Sequence, residues 1–158
     1  MKAEIINPFI KAAVEVLQTM AFVQCRAGKP YLKKDASANG DVSSVIGLTG
    51  VPNGTIAISF DESSILKIVS NMFGEELTQV DEDVADAVGE LFNMVSGQAR
   101  RQLEEMGHSF EASIPSVFMG KNHTITHITD GPKIALPFST ETGAFTIEVC
   151  FERDEGLN

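Results

Sequence analysis

The chain has 158 residues, of which 43% are hydrophobic and 22% charged, and its formal net charge is −10. This length and composition predict one globular domain over residues 1–158, with enough apolar residues for a buried core. The acidic excess disfavours nucleic acid and anionic membranes as partners, because both attract cationic surfaces.

Apolar runs are too short to cross a membrane, and residues 1–9 show no apolar secretory segment. The two cysteines, Cys25 and Cys150, lie far apart in the sequence. We therefore expect a cytoplasmic protein with two free thiols.

The first half of the chain alternates between helical and strand patterns. A helix is predicted over residues 8–20, with Asn7 as its N-cap before Pro8. An extended segment is predicted at residues 22–33. Two strands are predicted at residues 42–48 and 54–60, with a turn at residues 52–54 between them. A second helix is predicted after Asp61, and Gly74 is its expected C-terminal stop.

The second half opens with the strongest amphipathic pattern of the chain, which predicts a helix over residues 82–106. Thr78 with Asp81 resembles a capping pair at its start. Its apolar stripe has helical spacing and consists of Val84, Val88, Leu91, Phe92, Val95, Ala99, Leu103 and Met106. Four further strands are predicted, at about residues 109–119, 123–129, 133–139 and 143–152.

Short connections join most of the predicted strands. This favours an α+β fold in which a largely antiparallel sheet packs against helices. The segments that begin at Gly54 and Gly143 have similar patterns in the two halves of the chain. They indicate an internal duplication of an α-β-β unit.

One face of the long predicted helix carries polar residues that helix formation alone explains poorly. Asp86, Glu90, Asn93 and Gly97 fall within about 60° of arc, opposite the apolar stripe. Asn and Gly are weak helix formers, and Gly97 leaves the backbone open to close approach by another molecule. A carboxylate and a carboxamide at positions i and i+3 can reach one small target.

The Glu-x-x-Asn pattern is short and has accidental matches. Glu4 and Asn7 show the same spacing, but asparagine before a proline is expected to cap a helix. Glu15 and Gln18 form a near match on the first helix, with glutamine in place of asparagine. A solvated polar face with tolerated glycines is the alternative to a functional site.

The pattern Asp86-x-x-x-Glu90-x-x-Asn93, followed by Pro115 after 21 intervening residues, resembles that of the CheC/CheX/FliY family of bacterial chemotaxis phosphatases. The N-terminal segment and the strand that leads into the second helix also resemble this family, so the similarity spans nearly the whole chain. A single Glu-x-x-Asn helix is most similar to CheX, because CheC-like members carry a second such site on the first helix.

The resemblance implies a CheC-like fold and hydrolysis of the aspartyl phosphate on a CheY-like response regulator. It implies that Glu90 pairs with a lysine of the regulator and fixes docking, while Asn93 orients the attacking water. An uncharged amide suits this task, because phosphoryl transfer depends on alignment and charge stabilisation rather than on a strong base. The resemblance also implies that Mg²⁺ is bound by the regulator and that the chain needs no cofactor of its own.

Further contacts and a dimer follow from the same resemblance. Asp86, Gly97 and Arg100 are expected to contact the regulator, and Arg100 or Arg101 would offset repulsion between two acidic proteins. CheX-like members form homodimers by joining their sheets edge to edge. Residues 123–129 or 143–152 are the predicted edge.

Two other functions stay open. One is a non-catalytic module that binds a response regulator or belongs to the flagellar switch. The other is a metal-dependent hydrolase built on His123 and His127, with His108 or a carboxylate as the third ligand. The sequence around these histidines favours strand or loop, where residues i and i+4 lie about 13 Å apart. We therefore expect them to be surface polar groups.

Overall fold

The computed structural model describes residues 3–127 and 129–153, and within them the chain forms three helices and eight strands. The helices are α1 (Ala3–Ala21), α2 (Glu62–Phe73) and α3 (Glu82–Glu105). The strands are β1 (Arg26–Ala27), β2 (Tyr31–Lys33), β3 (Val42–Thr49), β4 (Gly54–Phe60), β5 (Glu111–Ala112), β6 (Ser116–Met119), β7 (Lys133–Ser139) and β8 (Ala144–Phe151). All of the strand pairings are antiparallel, which confirms the predicted α+β fold.

The sheet places its two long hairpins, β3–β4 and β7–β8, side by side. The strand order is β1-β7-β8-β4-β3-β5, with β2 also paired to β7 and β6 to β3. β4 and β8 pair along their full length, from Gly54 opposite Phe151 to Phe60 opposite Phe145. The two segments with similar sequence patterns are therefore neighbours, an arrangement that fits the predicted duplication of an α-β-β unit.

The helices cover one face of the sheet, because alternate strand residues on that face are apolar. A row of core residues runs across four strands, namely Val42, Phe60, Phe145 and Phe138. The stripe of α3 is buried against this face from Val84 to Leu103, whereas Met106 follows the helix and is 51% exposed. No described helix combines the length and apolar character that crossing a membrane requires.

The opposite face of the sheet is covered by irregular chain. Ile125 is 2% exposed on this face, and its amide donates to the carbonyl of Ala36. The prediction of a strand over residues 123–129 is therefore wrong. These residues cross the sheet instead of extending it and contribute one isolated bridge, Thr124 to Ser37. Residue 128 lies outside the described part of the chain.

Both sequence segments proposed as dimer edges are unavailable for that role. β8, which corresponds to the predicted strand over 143–152, lies between β4 and β7. Its amides and carbonyls are already paired on both sides. The strands at the margins of the sheet are the short ones, β1 and β2 beside β7 and β5 and β6 beside β3.

A buried ionic cluster joins the covering chain to the sheet. Lys33 Nζ lies 3.0 Å from Glu148 Oε2, and His127 Nε2 lies 2.9 Å from Glu148 Oε1. Burial alone would raise the pKa of Glu148, but hydrogen bonds from His127 and Lys33, together with their charges, hold this pKa below its ordinary value. The His127 side chain is only 4% exposed, so its predicted surface position is wrong.

α1 begins earlier than predicted, at Ala3. Asn7 and Pro8 lie inside the helix, so Asn7 is not its N-cap. Ile5 and Ile6 are 1% and 3% exposed, and their burial offsets the hydrogen bond that proline cannot donate.

α2 has the predicted boundaries, Asp61 and Gly74. The Asp61 side chain makes no capping hydrogen bond; instead, Asp41 Oδ2 accepts from the amide of Glu62 at 2.9 Å. Gly74 has a left-handed φ of 71°, which glycine adopts readily at the end of a helix.

α3 begins one residue after its N-cap, Asp81. Asp81 Oδ1 accepts from the amide of Val84 at 3.1 Å, so the predicted cap at Thr78 is wrong. The two cysteines are free, as expected, and burial raises the pKa of the Cys25 thiol.

Candidate functional site

The polar stripe of α3 faces solvent along the middle of the helix. Glu90 and Asn93 are exposed, as is Asp86, whereas the adjacent Leu91 and Phe92 are 2% and 1% exposed. Burial of the apolar stripe fixes the rotation of α3 about its axis. The structure therefore places the carboxylate and the amide together on one exposed face.

Glu90 and Asn93 are free to meet another molecule. Among the residues with assigned positions, neither side chain is held by a hydrogen bond or an ion pair. An incoming group can therefore contact both without first breaking an internal interaction. This arrangement suits a site for a partner more than a structural pair, since structural polar pairs satisfy each other.

Gly97 opens the surface one turn beyond Asn93. Outside the helix backbone, the nearest atom to an added Cβ would be Nη1 of Arg101, at 3.8 Å. The Arg101 guanidinium thus lies against the helix at Gly97, on the stripe that carries Glu90. A cation therefore lies on the polar stripe, about one turn beyond Asn93.

Arg100 lies at the edge of the same stripe. It is half-buried, and its Nε donates to Oγ of Ser96 at 3.3 Å. Ser96 is completely buried, so this bond draws Arg100 towards the flank of the helix. Arg101, rather than Arg100, is the arginine that extends along the stripe.

A cleft of about 600 Å³ opens beside Glu90 and Asn93. The polar stripe of α3 forms one wall. The other wall is the chain between β5 and β6 and the start of β6, which contributes Ile114, Pro115 and Val117. The proline that the sequence pattern singles out therefore lines the same cleft as the acid and the amide.

The two glycines of α3 have different roles. A Cβ at Gly89 would lie 3.3 Å from Cγ2 of Val117 on β6, which is closer than most real contacts of this kind. Gly89 thus allows β6 to pack directly against the helix and fixes the distance between the two walls of the cleft. A Cβ at Gly97 would instead meet only Nη1 of Arg101, at the ordinary van der Waals distance of 3.8 Å.

The near matches on α1 are arranged differently from the pair on α3. Glu15 is half-buried, and its Oε2 accepts a hydrogen bond from Nε2 of Gln98 on α3, while Gln18 is exposed. Glu4 lies near the start of α1, with Oε1 3.7 Å from Nε2 of His108. The structure therefore engages both α1 carboxylates with other side chains.

The histidines proposed as metal ligands have separate partners. His123 is hydrogen-bonded to the Gly120 carbonyl and to Ser43 Oγ, both at 2.6 Å, whereas His127 is hydrogen-bonded to Glu148. In the described ranges 3–127 and 129–153, no three side chains among histidine, cysteine and the carboxylates are placed to hold a metal ion together.

Sequence reasoning missed Ile114. It is 89% exposed although it is one of the larger apolar residues of the chain. The available signal was an apolar residue directly before Pro115 in a polar segment. Its place across from α3 depends on the pairing of β6 with β3, as in Ser116 opposite Val45, which local sequence does not reveal.

The sequence of this chain is similar to those of known proteins. Residues 42–139 match the family model described as chemotaxis phosphatase CheX. The curated CheY-P phosphatase CheX of Thermotoga maritima is 32% identical over 140 residues, which cover 88% of this chain and 89% of that protein.

Solved structures show the same fold. A CheC-like superfamily protein from Shewanella sp. PV-4 has a TM-score of 0.90 and 47% identity, covering 97% of this chain and 100% of that one. CheX of Borrelia burgdorferi, solved as a complex with CheY, BeF3 and Mg²⁺, has a TM-score of 0.78 and 28% identity, covering 94% and 97% of the two chains. The CheC-like fold expected from the sequence is confirmed.

Proposed function

The chain belongs to the CheX family of chemotaxis phosphatases, and we propose that it hydrolyses the aspartyl phosphate of a CheY-like response regulator with Glu90 docking the regulator and Asn93 orienting the attacking water. One observation carries the assignment of these residues. An acid and an amide stand exposed, without internal partners, at a cleft on the long helix of the family fold.

Asn93 suits the positioning of water. Its carboxamide offers both donors and an acceptor, so it can hold a water molecule in a defined orientation. It has no charge that would repel a phosphoryl group and does not titrate near neutral pH. Phosphoryl transfer depends mainly on in-line alignment and on stabilisation of charge, which makes such positioning effective.

Glu90 suits docking. A carboxylate that meets a lysine of the regulator forms a charge-assisted hydrogen bond, which fixes the register of two surfaces. Asp86 and Gly97 lie on the same stripe and are proposed to contact the regulator. Arg100, at the edge of the stripe, and Arg101 would reduce the repulsion between this acidic chain and an acidic partner.

We assign Mg²⁺ to the regulator. The Borrelia burgdorferi relative was solved with CheY, BeF3 and Mg²⁺ together. Mg²⁺ is commonly held by one or two carboxylates and by phosphate oxygens, and in this proposal the phosphorylated aspartate belongs to the partner. The chain then supplies only the docking and positioning groups and no cofactor of its own.

The proposal is tested with a panel of phosphorylated receiver domains and three variants. Asn93→Ala should slow the accelerated dephosphorylation at least about 100-fold, because the water loses its orientation, while binding changes little. Glu90→Ala should weaken binding as well. Glu105→Ala is the matched control, since Glu105 is exposed at the end of the same helix.

Two results would reject the assignment. Wild-type dephosphorylation by Asn93→Ala would remove Asn93 from the reaction. A wild-type chain that binds a regulator and leaves the lifetime of its phosphate unchanged would be an adaptor module rather than a phosphatase.

We also propose that the chain forms a homodimer through the edge of its sheet at β6. β6 carries no charged residue, and its Phe118 and Met119 are each 44% exposed. At the other margin, β2 lies next to Pro30 and between Lys29 and Lys34, and such residues discourage pairing of sheet edges.

A further inference from the structure

Among the described residues, Ile114 and Val51 are the most exposed of the large apolar side chains. Ile114 is 89% exposed, and Val51, in the turn between β3 and β4, is 88% exposed. Single exposed apolar residues are common on protein surfaces, so exposure alone indicates no function. The position of Ile114 distinguishes it from Val51, because Ile114 lines the cleft that contains Glu90 and Asn93.

The chain around Ile114 is fixed at both ends. On one side, the amide of Ser113 donates to the Gly47 carbonyl at 2.9 Å, and the Gly47 amide donates to Ser113 Oγ at 2.9 Å. On the other side, Ser116 pairs with Val45 in the sheet. Only Ile114 and Pro115 lie between these anchors, and a residue before proline is restricted to extended conformations.

Ile114 therefore lies in a short segment that is held in place at both ends. A partner that covers it need not order a mobile loop, so little conformational entropy opposes the contact. The distance from this segment to α3 is also fixed, because Val117 packs against Gly89. The polar wall and the apolar wall of the cleft thus form one preorganised surface.

We propose that Ile114 is the apolar anchor that binds the receiver domain beside its phosphorylation pocket. This inference rests on the proposed function, since it uses the same cleft and the same partner. Protein interfaces combine a few buried apolar anchors with polar groups that set orientation. Glu90 and Asn93 supply polar groups, and Ile114 supplies an apolar anchor on the facing wall.

The test compares Ile114→Ser with Val51→Ser, two β-branched residues of equal exposure. Binding is measured with the regulator held in its phosphorylated form by BeF3 and Mg²⁺, and KM and kcat are measured with the phosphorylated regulator. Ile114→Ser should raise Kd and KM about ten-fold or more, because complete burial of an isoleucine is worth that much in affinity, and leave kcat within about two-fold. Val51→Ser should behave like the wild type.

The outcomes separate this inference from the function on which it rests. If Asn93→Ala is inactive and Ile114→Ser binds within two-fold of Val51→Ser, the role of Ile114 as an anchor is refuted. The proposed phosphatase activity is then still supported. If Asn93→Ala retains full activity, the proposed site fails. Equal losses in Ile114→Ser and Val51→Ser, or a change in the sedimentation of Ile114→Ser without a change in KM, would also overturn the anchor. The second of these results would assign Ile114 to contact with another copy of the chain.

Discussion

Replacing Gly97 with alanine is expected to stabilise the chain and to weaken its binding to the regulator. Glycine inside a helix costs about 1 kcal/mol relative to alanine. The new methyl group would meet Arg101 Nη1 at 3.8 Å, an ordinary van der Waals distance, so strain should not reduce the gain. We therefore expect the free energy of unfolding to rise by about 0.5–1 kcal/mol. For a domain of this size, that corresponds to a Tm about 1–4 °C higher.

The same methyl group would occupy space on the proposed docking surface. Forcing an extra methyl into a closely packed contact costs about 1–3 kcal/mol. This corresponds to binding weakened roughly 5- to 150-fold. Urea unfolding followed by circular dichroism measures the stability, and fluorescence anisotropy with the BeF3-activated regulator measures the affinity.

Gly89→Ala is the comparison variant, because its methyl group would press against Val117 at 3.3 Å. Its gain in helix propensity is offset by displacement of β6. A Gly97→Ala chain that is less stable than the wild type would contradict the description of Gly97 as an open position. A chain that is more stable but binds the regulator with wild-type affinity would remove Gly97 from the docking surface.

Glu148→Gln should lower the free energy of unfolding by about 3–5 kcal/mol at pH 7, because it removes the buried carboxylate that pairs with Lys33 and His127. Because folding lowers the pKa of Glu148, its stabilising effect is present above the pKa of an unfolded glutamate, about 4.3, and is lost as the pH falls through the folded value. Urea unfolding at pH 7 and pH 3 measures the free energy of unfolding of the variant and the wild type. An equal difference between them at both pH values would contradict the stabilising role of the ionised Glu148. Phe118→Lys should dissociate the homodimer because it places a charge on the uncharged β6 edge, whereas Leu32→Lys on β2 should not. Sedimentation velocity measures the oligomeric state of both variants. A dimeric Phe118→Lys chain would exclude the β6 edge as the dimer interface.

Elements with a clear period were predicted well. β7 and α3 lie within a residue of their predicted bounds, because alternation and the apolar stripe reflect burial directly. The start of α1 was missed because Pro8 signals a helix start, while the burial of Ile5 and Ile6 outweighs that local signal. The strand predicted over residues 123–129 failed because extended chain that crosses a sheet has the same pattern as chain that pairs in one.

The same distinction between local pattern and long-range contact applies to the candidate site. Helical spacing alone places Glu90 and Asn93 on one exposed face. The opposite wall of the cleft needs the pairing of β6 with β3 and the close contact of Val117 with Gly89, which join distant parts of the chain. Helical spacing places Gly97 on the polar face, but no local pattern shows that Gly89 lies under a strand.

The hydrogen bond between Glu15 and Gln98 links α1 to α3 at the position of the near match on α1. Gln18→Asn alone would therefore not create a second Glu-x-x-Asn pair with a free carboxylate. A bivalent version of the chain would also require a change on α3, at Gln98, to release Glu15. A second exposed Glu-x-x-Asn pair in this fold would thus require changes on both helices.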